Sequence, residues 1–403
     1  MSTTAPAPPT TSRHPLDRIS HGKIVQIREQ LLAAQAQGAK VYRFESGDPS
    51  FGPPAYVLEA VTRAGQQGKT HYVPNNGVPE LRTALARKVT AINGIAQVRD
   101  RDIFVTNGAM HALFVTFGAL LAAGDEVIIP DPMWTEVAEN IRMAGGVPVG
   151  VTLRYEDDFS YRPEAIERAV TPRTVAIFLN TPHNPTGAVL TKERLGAILE
   201  LARARNLWVV ADEAYEDVVF APAEHHSIGA LAGEDWERVI SIYSFSKSHA
   251  MAGLRTGYIV TRSAQLQDRI PKLLRCTING VNSLAQAAAL AAVTGDRGHI
   301  AAMRAEYLVR RDLMLETLGH IPGLRPFTPR GTFFIWVELL PEIFERLKLR
   351  DADALSQKLA ALGIGNCPND AFGKDCAPAL RFSFSCGTEM VREGCAALAE
   401  VLG

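Results

Sequence analysis

The sequence is short of cysteine, and the few cysteines that it has form no recognisable pattern. There are five in 403 residues, none is part of a Cys-x-x-Cys pair, and none has histidines nearby at the spacing of a metal site. The odd number argues against a disulfide framework, and the missing pairs argue against a zinc site. We therefore expect structural thiols, no bound metal and a reducing, cytoplasmic location.

Long apolar runs and an excess of charge of one sign are also missing. No window approaches the roughly 18 uninterrupted apolar residues of a membrane span, and residues 1–15 lack the apolar segment of a signal peptide. Residues 1–15, rich in Thr, Pro and Ala, are predicted to form a disordered tail. Because the formal net charge is only -1, no global field favours nucleic acid or acidic membranes. The sequence predicts a small-molecule ligand.

What the sequence does contain is an alternation of short apolar segments and amphipathic segments from about residue 102 onwards. Strands are predicted at 103–106, 126–129, 147–151, 175–179 and 207–211, and the helices between them at 109–121, 135–143, 163–170 and 192–205. This alternation is typical of an α/β protein, with a mostly parallel sheet covered by helices on both faces. In such sheets, ligands bind beyond the carboxyl ends of the strands.

The two ends of the chain follow a different pattern. A helix at 24–37 and a short strand at 41–44 precede the alternating part, and the last 80 or so residues contain predicted strands at 333–338 and 380–384 and helices at 352–362 and 388–402. We predict an N-terminal arm over 16–50 that joins a small α+β domain at 291–403. The large domain is predicted over 51–290.

The stretch around Lys247 carries the strongest chemical signal. An apolar run at 239–243, predicted to be a buried strand, ends in hydroxyl groups on both sides of Lys247, and Arg255 follows eight residues later. A desolvated lysine is a good nucleophile for an aldehyde, with which it forms an imine. Ser244, Ser246 and Arg255 offer hydroxyl donors and a fixed guanidinium, which suit a phosphate dianion. The combination suggests pyridoxal 5'-phosphate, although a polar loop with a solvated lysine is the alternative.

Two further strand ends carry groups that suit the phosphate and the ring face of this cofactor. After the strand at 103–106, the turn that contains Ala109 and Met110 opens a helix, whose free amide groups favour an anion. Trp134 follows the strand at 126–129 and could stack on a flat heterocycle. Each signal has an ordinary alternative, a glycine-containing turn for the first and a core tryptophan for the second.

Two more strand ends suit the ring itself. Asn184 lies between two prolines after the strand at 175–179 and could donate to a phenolate oxygen. Asp212 follows the strand at 207–211, where a buried carboxylate needs a partner such as a pyridinium N–H. Tyr215 lies within reach of the ring oxygen. A plain loop and a helix N-cap are the alternatives, but five strands ending in groups complementary to one cofactor favour the cofactor.

With these residues, the sequence resembles the class I/II aminotransferases, the fold type I enzymes of pyridoxal phosphate, over essentially residues 16–402. The motifs that carry the resemblance are Asn184-Pro185-Thr186-Gly187, Asp212-Glu213-Ala214-Tyr215, Ser244-Phe245-Ser246-Lys247 with the segment 253–258, and Leu380-Arg381-Phe382-Ser383. The resemblance implies a large domain with a seven-stranded, mostly parallel sheet. It also implies a homodimer that shares its active sites.

The resemblance further implies a role for each residue. Lys247 would hold the cofactor as an imine and then move the proton between the substrate and the cofactor. The phosphate would be held by the amides of Ala109 and Met110 and by the side chains of Ser244, Ser246 and Arg255, the ring nitrogen by Asp212, the ring oxygen by Tyr215 and Asn184, and the ring face by Trp134. Arg381 would bind the substrate α-carboxylate with help from Asn184 and the Gly47 backbone. Tyr72 resembles the tyrosine that reaches the partner's phosphate. From the residues alone, Arg381 could equally form a structural salt bridge.

The substrate is less clearly indicated. Relatives that take aspartate can have a lysine at the place of Met110, so the methionine favours a neutral or aromatic amino donor. Ile24, Phe333 and Phe334 could line its pocket. Aspartate stays open as a donor because a partner subunit could supply an arginine.

Other activities stay open as well, because the cofactor itself supplies the carbanion chemistry. Elimination, cyclisation, decarboxylation and oxidation are possible with the same residues. A non-catalytic sensor domain of a transcription regulator is the most distant alternative, since the residues before the first helix contain neither a recognition helix nor a basic patch.

Overall fold

The structure, a computed structural model, describes residues 15–19 and 22–403. Its helices are α1 (Lys23–Ala36), α2 (Ala55–Gln66), α3 (Pro79–Ala91), α4 (Gly108–Leu120), α5 (Glu136–Met143), α6 (Pro163–Ala169), α7 (Lys192–Ala204), α8 (Ile228–Leu231), α9 (Phe245–Ser248), α10 (Ala264–Thr277), α11 (Ser283–Thr294), α12 (Gly298–Gly319), α13 (Pro341–Leu347), α14 (Ala352–Ala361) and α15 (Thr388–Leu402). Its strands are β1 (Ile103–Thr106), β2 (Glu126–Asp131), β3 (Val147–Thr152), β4 (Thr174–Asn180), β5 (Trp208–Asp212), β6 (Val239–Ser244), β7 (Gly257–Val260), β8 (Leu324–Pro326), β9 (Phe334–Leu339), β10 (Cys367–Pro368) and β11 (Ala379–Ser383). The predicted tail lies, apart from Pro15, outside the described residues.

Seven strands form the large sheet in the order β1-β7-β6-β5-β4-β2-β3. The neighbours β6, β5, β4, β2 and β3 are parallel, whereas β7 is antiparallel to both β1 and β6. The prediction of a seven-stranded, mostly parallel sheet is confirmed, with β7 as the reversed strand. Because β7 lies between β1 and β6 and is antiparallel to both, β1 points in the same direction as the parallel strands.

Apolar side chains on both faces explain why these strands are continuous apolar runs. In β1, Ile103 and Val105 pack in a core with α3, α7 and α11, and Phe104 packs in a second core with α4, α5 and α10. Successive side chains of a strand point to opposite faces, so a strand between two helix layers must be apolar at every position. The edge strand β3 is partly exposed.

A second, antiparallel sheet has four strands in the order β10-β11-β9-β8. Its strands come from residues 324–383, and a third core packs it against helices that include α12, α14 and α15. This sheet falls within the segment predicted as the small domain. The boundaries at residues 50 and 290 stay a prediction.

The predicted strand at 41–44 is wrong. Tyr42 forms a single parallel bridge to Ile364, and the carbonyl of Phe44 accepts from the N–H of Ser383 at 2.7 Å. The segment therefore divides its backbone hydrogen bonds between two different neighbours and forms no ladder. The sequence patterns also fail to indicate α13, β8 and β10; the two strands have only three and two residues, too few for periodicity to reveal.

Within the described ranges, no helix is both long enough and apolar enough to cross a membrane. Over the same residues, the side chains of His, Cys, Asp and Glu form no cluster that could hold a metal ion.

Candidate active site

A cavity of about 280 Å³ lies at the carboxyl edge of the large sheet. Its lining residues are Ile24, Glu45, Gly47, Ala109, Met110, Trp134, Asn180, Asn184, Asp212, Ala214, Tyr215, Ser244, Ser246, Lys247, Arg255, Phe334 and Arg381. The strand directions explain this convergence. The carboxyl ends of β1, β2, β4, β5 and β6 all lie at one edge, and the reversed strand β7 begins there, two residues after Arg255.

Lys247 lies in α9, the single helical turn that follows β6. Its Nζ donates to the carbonyl oxygen of Gly47 at 2.5 Å. The same atom lies 5.6 Å from the ring centroid of Tyr215 and 5.5 Å from that of Phe333. Among the residues that the structure describes, the ammonium has a single neutral acceptor and two aromatic neighbours. This environment replaces the hydration of a charge poorly.

Burial lowers the pKa of Lys247 to about 8. The carboxylate of Asp48 raises this pKa, the guanidinium groups of Arg381 and Arg255 lower it, and Asp212 raises it. A substantial fraction of the amine is therefore neutral near physiological pH, whereas an ordinary lysine with a pKa near 10.4 would be almost fully protonated. A neutral amine at the cavity wall can act as a nucleophile and as a base.

Asp212 ends β5 and is buried. Its Oδ1 accepts from the N–H of Ala214 at 3.0 Å, and it forms no ion pair with any residue that the structure describes. Burial raises its pKa to about 6; the Ala214 N–H lowers the pKa, the neighbouring charge of Glu213 raises it and Lys247 lowers it. A carboxylate in this position lacks a cationic hydrogen-bond donor, which a protonated ring nitrogen would supply.

Another part of the cavity lining suits an anion. Helix α4 begins at Gly108, which has a φ of 79° and lies so close to Arg255 that a Cβ would come within 2.7 Å of Nη2. This left-handed φ favours glycine over residues with a Cβ. On the other side, the Oγ of Ser244 accepts from the N–H of Ser246 at 3.1 Å. The free N–H groups of the first turn of α4, two serines and a guanidinium together suit a phosphate.

Arg381 lies in the middle of β11 and is buried. Its Nη1 donates to Oδ1 of Asn184 at 3.0 Å and its Nη2 to the carbonyl oxygen of Glu45 at 2.8 Å. The guanidinium lies 4.1 Å from the ring centroid of Phe334 and 4.8 Å from that of Phe372. The structural salt bridge considered above is not found among the described residues, so a carboxylate ligand would complete the site.

The structure brings together all but one of the predicted site residues. Those that line the cavity are Gly47, Ala109, Met110, Trp134, Asn184, Asp212, Tyr215, Ser244, Ser246, Lys247, Arg255 and Arg381. Tyr72 does not, because its side chain is 92% exposed on the surface of the chain. Ile24 and Phe334 line the cavity as expected, whereas Phe333 is fully buried behind it.

Sequence reasoning missed three lining residues, Glu45, Asn180 and Ala214. Asn180 ends β4, and its Nδ2 donates to the carbonyl oxygen of Asp212 at 3.0 Å. Its Oδ1 accepts from the N–H of Asn184 at 2.8 Å. Its position at a strand end is the signal that could have found it. Glu45 also follows a predicted strand, at 41–44, but this segment forms no strand, so strand geometry does not determine the position of Glu45.

These features fit pyridoxal phosphate. A lysine with a lowered pKa, a buried carboxylate that lacks a cation and an anion cradle line one cavity, next to an arginine that lacks a carboxylate. The fold and the site thus define the class of pyridoxal-phosphate enzymes with a fold type I architecture.

Comparisons with known proteins agree. The family model of aminotransferase class I and II matches residues 39–398. The "Probable aspartate/prephenate aminotransferase" of Aquifex aeolicus is 35% identical over 94% of this chain and 95% of its own. The aspartate aminotransferase from Thermus thermophilus with maleate superposes with a TM-score of 0.89 at 34% identity, over 98% of this chain and all of its own. An aromatic aminotransferase from Pyrococcus horikoshii gives a TM-score of 0.85 at 32% identity, over 92% and 98% of the two chains.

The chain belongs to the class I and II aminotransferases. It is a pyridoxal-phosphate-dependent aminotransferase.

Proposed function

We propose that this aminotransferase moves the α-amino group of a neutral or aromatic L-amino acid to a 2-oxo acid, in preference to that of aspartate. The observation that carries the proposal is Met110, whose uncharged side chain lines the cavity. The two substrates would use the same cavity in turn, because one guanidinium there, that of Arg381, lacks a carboxylate partner. The reaction would therefore follow a ping-pong scheme.

The residues have separate tasks in this proposal. When bound, pyridoxal phosphate supplies an aldehyde that receives the amino group and a ring that withdraws electrons. Lys247 Nζ, of which a substantial fraction is neutral because of its lowered pKa, would remove the proton from the substrate Cα and later return a proton. Arg381 and Asn184 bind the substrate α-carboxylate, with the Gly47 backbone beside them. Asp212 keeps the ring nitrogen protonated.

The remaining residues hold the cofactor in place. Tyr215 and Asn184 would donate to the ring oxygen, and Trp134 would stack on the ring face. The anion cradle described above would bind the phosphate through its serines, its arginine and the first amides of α4.

The charge balance of the lining supports a donor without a second carboxylate. The cations that line the cavity within the described chain are Lys247, Arg255 and Arg381, and each already has a task. Burying a carboxylate without a partner costs several kcal/mol. The lining instead offers apolar surface from Ile24 and Phe334, which suits an aromatic or aliphatic side chain.

The test is a comparison of amino donors with one oxo acid. We expect kcat/KM for phenylalanine to exceed that for aspartate by about tenfold or more, because a difference of 1.4 kcal/mol in transition-state binding is sufficient. Met110→Lys should raise kcat/KM for aspartate, because an ammonium would then face its side chain. Met110→Leu is the matched control, since it changes the side chain without adding a charge, and it should leave the ratio nearly unchanged.

Aspartate is the second candidate donor, because aspartate appears in the names of the first two relatives described above. An arginine of a partner subunit could serve its second carboxylate. Equal or higher kcat/KM for aspartate in the unmodified enzyme would favour this candidate and refute the preference for neutral donors.

We also propose a homodimer, supported by the 92% exposure of Tyr72, which in this arrangement would contact the phosphate of the partner's site. The mass of the protein in solution tests this. The cytoplasmic location stays a prediction.

A further inference from the structure

Glu213 follows Asp212 directly in the chain and is completely buried. It does not line the cavity, and none of the tasks described above uses it. A carboxylate removed from water destabilises a protein unless it is fully hydrogen-bonded. A buried carboxylate beside the residue assigned to the ring nitrogen therefore requires an explanation.

Three side chains from two segments donate to this carboxylate: His225 and Ser227 from one loop, and Ser241 from β6. Ser227 Oγ donates to Oε1 at 2.9 Å, and Ser241 Oγ, on β6, donates to the same oxygen at 3.3 Å. Nε2 of His225 lies 3.0 Å from Oε2. The backbone N–H of Glu213 also donates to the carbonyl oxygen of Ile242 at 2.9 Å. Both the main chain and the side chain of Glu213 are thus held in place.

This anchoring reaches the carboxylate of Asp212 through a short turn. The N–H of Ala214 donates to Oδ1 of Asp212, so Glu213 lies at the centre of the turn that orients the Asp212 side chain. We propose that Glu213, held by His225 and Ser227, is a positioning residue that aims Asp212 at the ring nitrogen of the cofactor. Its negative charge also makes the Asp212 carboxylate a stronger acceptor for the proton on that nitrogen. The inference rests on the proposed role of Asp212 and is independent of the amino donor.

The charge of Glu213 contributes as well as its position, because it is one of the causes that raise the pKa of Asp212. Besides His225, the titratable group next to the anchoring serines is Tyr243, whose Oη lies 3.2 Å from Ser227 Oγ. Lys88 lies over the Tyr243 ring at 4.7 Å and pairs with Glu216 at 2.5 Å. Because the opposite charges of Lys88 and Glu216 compensate each other, Glu213 supplies the uncompensated negative charge next to Asp212.

The first measurement is cofactor retention, with pyridoxal phosphate as the probe. Glu213→Gln keeps the shape of the side chain and removes its charge. We expect the variant holoenzyme to release pyridoxal phosphate roughly tenfold faster than the unmodified enzyme, the scale of coupling between adjacent hydrogen-bonded residues. Asp212→Asn, measured beside it, should lose the cofactor more strongly. If Asp212→Asn retains it normally, the assigned role of Asp212 is wrong; if only Glu213→Gln retains it normally, the present inference is wrong.

The second measurement separates positioning from ordinary structural support. The visible absorption of lysine-bound cofactor changes when the nitrogen that joins it to Lys247 loses its proton. Removing the negative charge of Glu213 disfavours protonation nearby, so the midpoint of this change should move to lower pH. Faster release of the cofactor with an unmoved midpoint would show a structural role and would overturn the inference.

The neighbouring histidines provide a matched pair of variants. His225→Ala removes one donor to Glu213 and should release the cofactor a few-fold faster. His226→Gln alters an adjacent histidine whose nearest ionic partner is Glu224 at 4.0 Å, and it should change neither measurement. If Glu213→Gln does not fold, the difference between these two variants decides the question, and equal behaviour of the two would refute the inference.

Discussion

The two ends of the cavity are built in different ways. The cofactor end consists of residues at or just beyond the carboxyl ends of strands of one sheet, such as Asp212 at the end of β5 and Lys247 three residues beyond β6. The substrate end joins Arg381 of the small sheet to Asn184, which lies 197 residues away in sequence. The first end inherits its geometry from strand direction, whereas the second depends on how two sheets pack. Mutations at the two ends should therefore have separable effects.

The largest effect is expected at Lys247, where the two ends meet. Lys247→Ala removes both the amine that binds the cofactor covalently and the proposed base, so turnover should be abolished. The visible absorption of lysine-bound cofactor should disappear, and borohydride reduction should no longer attach the cofactor to the chain. Absorption spectra, mass spectrometry after reduction and kinetic assays measure these three outcomes.

Lys88 is the control for this variant, since it is another buried lysine. Its Nζ pairs with Glu216 at 2.5 Å and lies outside the cavity lining. Lys88→Met should lower the free energy of unfolding but keep the visible absorption and covalent attachment. Residual turnover by Lys247→Ala, without added amine, would contradict the assigned base.

The sequence predicts the cofactor end better than the substrate end, because only the cofactor end takes its geometry from the direction of the strands. At the cofactor end, a polar residue directly after a buried apolar run has a position that strand geometry determines. This rule points to Asp212 and, three residues beyond the end of β6, to Lys247. Applied to β4, it points to Asn180, which sequence reasoning missed, and not to Asn184, which lies four residues further on. The large sheet is predictable because its inner strands contain short, mostly apolar runs, which are buried on both faces.

The substrate end could not be predicted in this way. Arg381 stands out only through the resemblance, because the residues themselves allow a salt bridge. What distinguishes it is the packing of Phe334 and Phe372 on its guanidinium, and no local pattern records such contacts. Glu45 escapes prediction because its segment has the pattern of a strand and a loop, whereas its backbone bonds to two separate neighbours.

Arg381 is predicted to have the next largest effect, confined to the substrate end. Arg381→Ala should weaken amino-acid capture by roughly 2–5 kcal/mol, because it deletes one partner of a desolvated charge pair. The loss should appear in kcat/KM for every amino donor, while the holoenzyme still shows the visible absorption of lysine-bound cofactor. Stopped-flow measurements of the first half-reaction against donor concentration provide the comparison.

Arg381→Lys tests the geometry of the same contact. It keeps the charge but loses the planar fork that binds a carboxylate through two hydrogen bonds. Arg381→Lys should therefore recover only part of the kcat/KM that Arg381→Ala loses. Unchanged KM values in both variants would mean that Arg381 supports the fold instead of the substrate.

The smallest effect concerns the cofactor end in the apoprotein. Asp212 has a folded pKa of about 6, raised from 3.8 by burial. Between pH 4 and 6 the folded state therefore keeps a proton that the unfolded state has lost, and the free energy of unfolding falls as the pH rises through this window. Because the two pKa values differ by about two, the contribution of Asp212 to this fall is at most about 3 kcal/mol.

Urea unfolding of the apoprotein at several pH values, with Asp212→Asn as reference, isolates this contribution. The unmodified apoprotein should lose stability relative to the variant as the pH rises from about 4 to about 6. In the holoenzyme the difference should shrink or reverse, because a protonated ring nitrogen then stabilises the carboxylate. If the two apoproteins instead show parallel pH profiles, Asp212 titrates normally and the cofactor end does not hold the buried, unpaired acid that distinguishes it from the substrate end.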